Sequence, residues 1–325
     1  MNKTLCFFTI LCMLFVSGCN MKSIAPAPTP GYVSSPAPIL APTPTSTPEE
    51  PALAPTSTPL VEKAVPYDAS TFTGIEADFS EYFGGINGCA VFLAPNENRI
   101  TVYNSELSSK RSSPCSTFKI VSSLIAIKNQ IISTENSLIP WSGETYWNDD
   151  WNQDMTFERA FKSSCVWYYR ELIDRIGQAT MQQSLETISY GNRDISDWAG
   201  SLNTNNSNPD LTGFWIESSL TISPEEQAVV LANIFEQGLY FSEAAISAVK
   251  AVMRYQTDQT DSAIYGKTGM GKKDGKIVDA WYVGFFEWEG NTTYFAVRLD
   301  DPENESVTSA KAREIALSII QNWDA

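Results

Sequence analysis

Ser116 and Lys119 stand three residues apart in Ser116-Thr-Phe-Lys119, in a chain of 325 residues that contains no histidine. A serine hydroxyl is a weak nucleophile at its own pKa and needs an adjacent base. Without histidine, a Ser-His-Asp triad is excluded. So is any histidine-ligated metal site, and no metal is assigned. The base must be a lysine, a tyrosine or a carboxylate. A spacing of three puts Ser116 and Lys119 on one face of a helix. Lysine can take a proton only as the neutral amine. Its pKa starts near ~10.4, and burial lowers it because desolvation penalises the cation.

The spacing by itself is weak, since Ser247-Ala-Val-Lys250 repeats it. The elements around the first pair distinguish it. Phe118, Ile120, Val121, Leu124, Ile125 and Ile127 recur at spacings of three and four, which predicts a buried helix from Ser116 to about Ile132, entered at Pro114. A nucleophile at a helix start meets free backbone N–H groups that favour developing negative charge. Upstream, Gly88–Asn104 reads as a hairpin split at Pro95-Asn-Glu-Asn98. Downstream, periodic stretches predict helices over Phe157–Ile176, Gln178–Ile188 and Phe241–Met253. Another helix starts at Ser223-Pro-Glu-Glu226, with serine as cap and proline in the first turn. The period then changes to two. Ala263–Gly269 reads as a short strand and Gly271–Gly275 as a turn. Ile277–Trp288 and Thr293–Leu299 read as a hairpin, before a last helix over Thr308–Trp323.

Ser164-Cys-Val166, Tyr190-Gly-Asn192 and Lys267-Thr-Gly269 follow Ser116-Thr-Phe-Lys119 in that order, and no Ser-Asp-Asn occurs. On these motifs, over roughly residues 79–323, the chain resembles the class D (oxacillinase-type) serine β-lactamases. The resemblance implies a mixed α/β fold of the serine β-lactamase and penicillin-binding transpeptidase type. A central antiparallel sheet from both chain ends would be flanked by helices, with a mainly helical lobe inserted over about 125–256. It implies hydrolysis of the β-lactam amide of penicillin-type antibiotics through a serine acyl-enzyme, conferring resistance. Ser116 would be the nucleophile. Lys119, as N6-carboxylysine formed with CO2 or bicarbonate, would be the base, with no bound cofactor. Ser164 would relay a proton to the leaving nitrogen, and Lys267 would supply positive charge beside it. The backbone N–H groups of Ser116 and Met270 would form the oxyanion hole. Thr268, Gly269 and Arg313 would hold the substrate carboxylate, arginine being suited to a bidentate grip. Trp215 would donate its indole N–H to the carbamate, and Val166 would cap the lysine pocket. Related penicillin-sensing receptor domains carry asparagine where Val166 stands. Valine therefore leans toward turnover rather than toward a sensor that acylates once, and also argues against a cell-wall D-Ala-D-Ala peptidase.

Cys115 and Cys165 abut the proposed nucleophile and relay serine, and are read as buried thiols or as a redox-sensitive pair. Tyr190 is read mainly as structural. Gly266-Lys-Thr268 is not a phosphate loop, because residue 261 is Asp rather than the required glycine.

The N-terminal stretch is read as targeting rather than fold. Residues 1–18 form a signal peptide with a short apolar run, Leu5–Val16. Val16-Ser-Gly-Cys19 resembles a bacterial lipoprotein cleavage site, which implies lipid on Cys19 and an exported protein held at the outer face of the cell membrane, or secreted if Cys19 is not lipidated. Residues 19–66 hold 12 of the 18 prolines and read as a spacer unable to pack a core. The catalytic domain is assigned to 67–325. A net charge of −16 argues against nucleic acid as a partner.

Overall fold

The computed structural model describes residues 64–201, 208–256, 263–273 and 276–323. The expected signal peptide, Cys19 and the linker up to residue 63 lie outside them.

Among the described residues, seven strands form one sheet: β1 (Thr73–Glu76), β2 (Gly88–Ala94), β3 (Arg99–Tyr103), β4 (Arg254–Tyr255), β5 (Ala263–Lys273), β6 (Lys276–Trp288) and β7 (Asn291–Leu299). Their order is β1-β3-β2-β7-β6-β5-β4. The two chain ends meet at β2 and β7, where Val91 lies opposite Ala296. All neighbours are antiparallel except β1 and β3, which run parallel. β1 carries no alternating apolar signal, and all four of its residues are exposed, so the parallel edge was not legible.

The helices are α1 (Ser80–Phe83), α2 (Ser105–Ser109), α3 (Lys119–Lys128), α4 (Phe157–Lys162), α5 (Val166–Ile176), α6 (Gln178–Thr187), α7 (Pro224–Phe235), α8 (Glu243–Met253) and α9 (Ser309–Gln321). They cover both sheet faces. Val91, Leu93, Val283, Phe285 and Ala296 pack with the apolar side chains of α3, α5 and α7. Ala90, Phe92, Phe286, Phe295 and Val297 pack with Ile315, Ala316 and Ile319 of α9. Because both faces are covered, the central strands are apolar without interruption, as in Gly88–Ala94, where every residue is buried. The start of α7 is as expected: Ser223 and Glu226 form a reciprocal capping box, with Pro224 in the first turn.

Three expected boundaries change. The helix foreseen from Ser116 begins instead with a 3-10 turn, Cys115–Phe118, and becomes α-helical at Lys119. The helix foreseen over 157–176 is broken between α4 and α5, where Ser164 takes a left-handed φ of 54°. Periodicity reports which residues are buried, not where the backbone turns between them. Finally, β5 runs on to Lys273, so Gly271–Lys273 are strand, with a register irregularity after Gly271.

The segment leading into the 3-10 turn is tied to the sheet by a buried charge network. Arg298 of β7, 3% exposed, donates Nε to Asp279 Oδ1 of β6 at 2.6 Å and a guanidinium N–H to the Lys110 carbonyl at 3.2 Å. The Ser112 hydroxyl also bonds Asp279. Removing one member of a buried pair strands the other charge. Arg298→Ala is expected to lower unfolding free energy by about 3 kcal/mol in urea titration; a loss below about 1 kcal/mol would show that the network does not anchor this segment.

Candidate active site

Pro114 starts the turn that carries the nucleophile candidate. Its carbonyl accepts the Thr117 N–H at 3.1 Å and the Thr117 hydroxyl at 2.7 Å. The Gln227 amide of α7 donates to that same hydroxyl at 2.9 Å. Cys115, in left-handed conformation at φ 49°, donates its N–H to the Trp215 carbonyl at 2.9 Å. Left-handed backbone is costly for a side-chain-bearing residue and persists where the surroundings over-determine it. Here the Trp215 carbonyl and the Ser113 hydroxyl, bonded to that carbonyl at 2.9 Å, hold the turn from outside. The N–H of Ser116 lies in the first turn, where helix donors have no intrahelical partner.

β5 lies close against this turn. A Cβ on Gly269 would sit 2.9 Å from the Thr117 methyl and 3.0 Å from the Pro114 carbonyl oxygen. A Cβ on Gly271 would sit 3.1 Å from the Cys115 sulfur. The glycines therefore let strand and nucleophile turn touch. Met270, between them, has an exposed side chain.

Lys119 Nζ donates to Ser116 Oγ at 3.0 Å. The lysine is 1% exposed, and burial pushes its pKa down to about 8, the nearby Cys165 and Cys115 thiols opposing the shift. Its amine lies 4.9 Å from the centre of the Tyr169 ring. The Tyr169 hydroxyl shares a 2.8 Å hydrogen bond with Ser123, whose hydroxyl donates to the Lys119 carbonyl at 2.6 Å. Ser116 and Lys119 thus form a hydroxyl–amine pair closed off from water on the lysine side.

A second hydroxyl–amine pair faces it. Lys267 Nζ donates to Ser164 Oγ and, at 3.1 Å, to the Thr268 carbonyl. Lys267 is buried, and its pKa is pushed well down, first by burial and then by the charges of Lys119 and Arg313. Ser164 reaches this position because the break between α4 and α5 turns it toward β5. A cavity of about 130 Å³ beside Lys267 brings Thr268 and Arg313 together with Phe161, Tyr255 and Tyr282.

The remaining expected residues fall as follows. Val166 opens α5, half-buried against the core. Trp215, 1% exposed, packs on Phe118 with ring centres 6.3 Å apart, and its carbonyl supports Cys115. The ring beneath the Lys119 amine is that of Tyr169, which sequence reasoning did not single out. Its position five residues after Ser164 was the available signal. Tyr190 is buried, its hydroxyl faces Thr117 without hydrogen-bond geometry, and burial raises its pKa, so it is suited to packing rather than to proton transfer. Cys89, Cys115 and Cys165 are free, buried thiols, and burial pushes Cys89 and Cys165 up to about 12. Raised, water-excluded thiols are inert, so the buried-thiol reading holds.

Residues 88–321 match the family described as "Penicillin binding protein transpeptidase domain". The chain belongs to this family. Among its relatives, this transpeptidase-family chain is 33% identical over 245 residues to "Regulatory protein BlaR1" of Bacillus licheniformis, covering 75% of this chain but only 38% of that protein. It is 32% identical over 241 residues to "Probable beta-lactamase YbxI" of Bacillus subtilis, covering 74% of this chain and 82% of the relative. Its fold matches the solved C-terminal domain of the Bacillus licheniformis BlaR penicillin-receptor with a TM-score of 0.68 at 31% identity, covering 77% of this chain and 96% of that one. It matches a class D β-lactamase from Bacillus subtilis with a TM-score of 0.65 at 30% identity, covering 76% and 95%. The fold is therefore that of class D β-lactamases and penicillin-binding domains.

With its pKa lowered to about 8 by burial, the Lys119 amine is neutral in a growing fraction as pH rises through that value. In CO2-free buffer, NMR titration of the Lys119 amine in 15N-lysine-labelled protein is expected to show a midpoint near pH 8. A midpoint at pH 10 or above would show that burial does not lower the pKa of this amine.

Proposed function

We propose that this chain hydrolyses the amide bond of penicillin-type β-lactams through an acyl-enzyme on Ser116. The observation that carries this reading is the 3.0 Å contact between Ser116 Oγ and the buried amine of Lys119. Lys119 takes the Ser116 proton as Oγ attacks the ring carbonyl. The N–H of Ser116, and by resemblance that of Met270, receive the charge growing on the carbonyl oxygen. As the C–N bond breaks, that proton passes from Lys119 through Ser164 to the ring nitrogen, leaving Lys119 neutral and Ser164 a hydroxyl again, with Lys267 donating to Ser164 from behind. Thr268 and Arg313 bind the substrate carboxylate beside Lys267. Water then attacks the ester, giving up a proton to the base, and Ser116 leaves with its hydroxyl restored.

The Lys119 pocket suits carbamylation, since it holds a lowered-pKa amine among buried residues with no carboxylate hydrogen-bonded to it among the described residues. A carbamate there, formed with CO2, would supply an oxygen base for deacylation, with Val166 and Trp215 in the surrounding wall.

A second reading is a penicillin sensor that acylates without turnover. It is favoured by the BlaR1 relative and by the likeness to the BlaR penicillin-receptor domain. Val166 supports turnover instead, because it places an apolar side chain where sensors of this type carry an amide. Mixing residues 64–325 with excess benzylpenicillin, and following ring opening and protein mass together, separates the two. Continuing hydrolysis stimulated by bicarbonate is expected, lost in Ser116→Ala and reduced about 10³-fold in Lys119→Ala. A stoichiometric adduct with no further ring opening would assign the sensor role.

We also propose that the protein is exported and lipid-anchored at Cys19, because small residues directly precede that cysteine at the end of an apolar run. Mass spectrometry of the membrane fraction should find a diacylglyceryl-modified N-terminal Cys19; an unmodified Cys19 would refute the anchor.

A further inference from the structure

The cavity beside Lys267 contains two polar groups without a partner. Arg313 of α9, half-buried, makes no ion pair or hydrogen bond among the described residues; its guanidinium rests over the Tyr255 ring, 5.2 Å from the centre. Tyr282 of β6 is 2% exposed, and its hydroxyl is buried with no hydrogen-bond partner among the described residues. A buried hydroxyl left unpaired is costly and calls for an explanation. The ring is not loosely placed. It sits opposite Thr268 in the β5–β6 register and packs on Phe295 with ring centres 5.2 Å apart. A Cβ on Gly266 would lie 2.6 Å from the Tyr282 hydroxyl oxygen, so a glycine at this place in β5 makes room for the phenol. Burial raises the Tyr282 pKa, so the hydroxyl stays protonated and uncharged, although the field of Arg313 opposes the shift. An unpaired guanidinium, an unpaired hydroxyl and Thr268 therefore line one cavity, and no acid lines it.

We propose that Tyr282 is a positioning residue for Arg313 in the binding of the β-lactam carboxylate. A carboxylate held bidentately uses two of the five guanidinium N–H groups and leaves the others to be satisfied. When the ligand draws Arg313 from the Tyr255 ring toward Thr268, the phenolic oxygen of Tyr282 accepts one of the remaining N–H groups and fixes the plane of the guanidinium. This inference rests on the reading of Ser116 as a β-lactam-acylated serine, but not on whether the acyl-enzyme turns over.

Tyr282→Phe removes only the oxygen and keeps the packed ring. Stopped-flow acylation by benzylpenicillin separates the dissociation constant of the initial complex from the limiting acylation rate. The variant is expected to raise that constant about tenfold and to change the limiting rate less than twofold. With the methyl ester of benzylpenicillin, which lacks the carboxylate, variant and wild type should match. In an Arg313→Ala background the substitution should have no further effect. A packing role alone would lower thermal stability and weaken both ligands alike. An unchanged constant for benzylpenicillin, or equal losses with acid and ester, would overturn the inference while leaving wild-type acylation intact. A wild-type protein that gains no adduct on Ser116 from either compound would overturn the proposed function, and this inference with it.

Discussion

Two lysine amines are buried near each other with hydroxyls and a carbonyl, but no carboxylate among the described residues, as their hydrogen-bond partners. Burying an ammonium without a counter-charge is expensive, and a protein answers by releasing the proton. Burial thus favours the neutral amine in residues that are ordinarily cations. A neutral amine is what the proposed reaction needs in a chain with no histidine. Lys119 is 1% exposed with its amine over the Tyr169 ring, while Ser116 is half-buried.

Holding the pair in place requires backbone that would not be chosen locally. Cys115, next to Ser116, and Ser164 itself both take left-handed conformations. Their neighbours impose this. The Trp215 carbonyl grips Cys115, the Ala160 carbonyl accepts the Cys165 N–H at 2.9 Å, and the glycines of β5 allow a strand to press on the nucleophile turn. The Arg298–Asp279 pair extends this support to the segment before Pro114. The strain is local, and the rigidity that sustains it comes from a sheet packed on both faces.

The acidic surface and the site serve different ends. The chain carries 38 acidic against 22 basic side chains, yet the cavity beside Lys267 holds the Arg313 guanidinium with no acid among its lining residues. Local cation placement inside an anionic protein gives an anionic ligand one place to settle rather than many.

Much of this was legible in the sequence. The order of Ser116-Thr-Phe-Lys119, Ser164-Cys-Val166, Tyr190-Gly-Asn192 and Lys267-Thr-Gly269 named the residues that the fold brings together. Spacings of three and four, alternating runs and the Ser223-Pro224 cap located α6, α7, α8, α9 and the hairpins, because burial of one face writes itself directly into residue spacing. What they could not locate was the break at Ser164, the 3-10 turn before α3 or the parallel edge strand β1. Those depend on backbone torsion and on partners far along the chain, which leave no periodic trace. Likewise, a lysine three residues after a serine is written in one dimension. Only the tertiary structure decided that its amine would be dry, set over Tyr169 and opposed by a second buried lysine, because desolvation is a property of everything packed around a group and not of its neighbours in sequence.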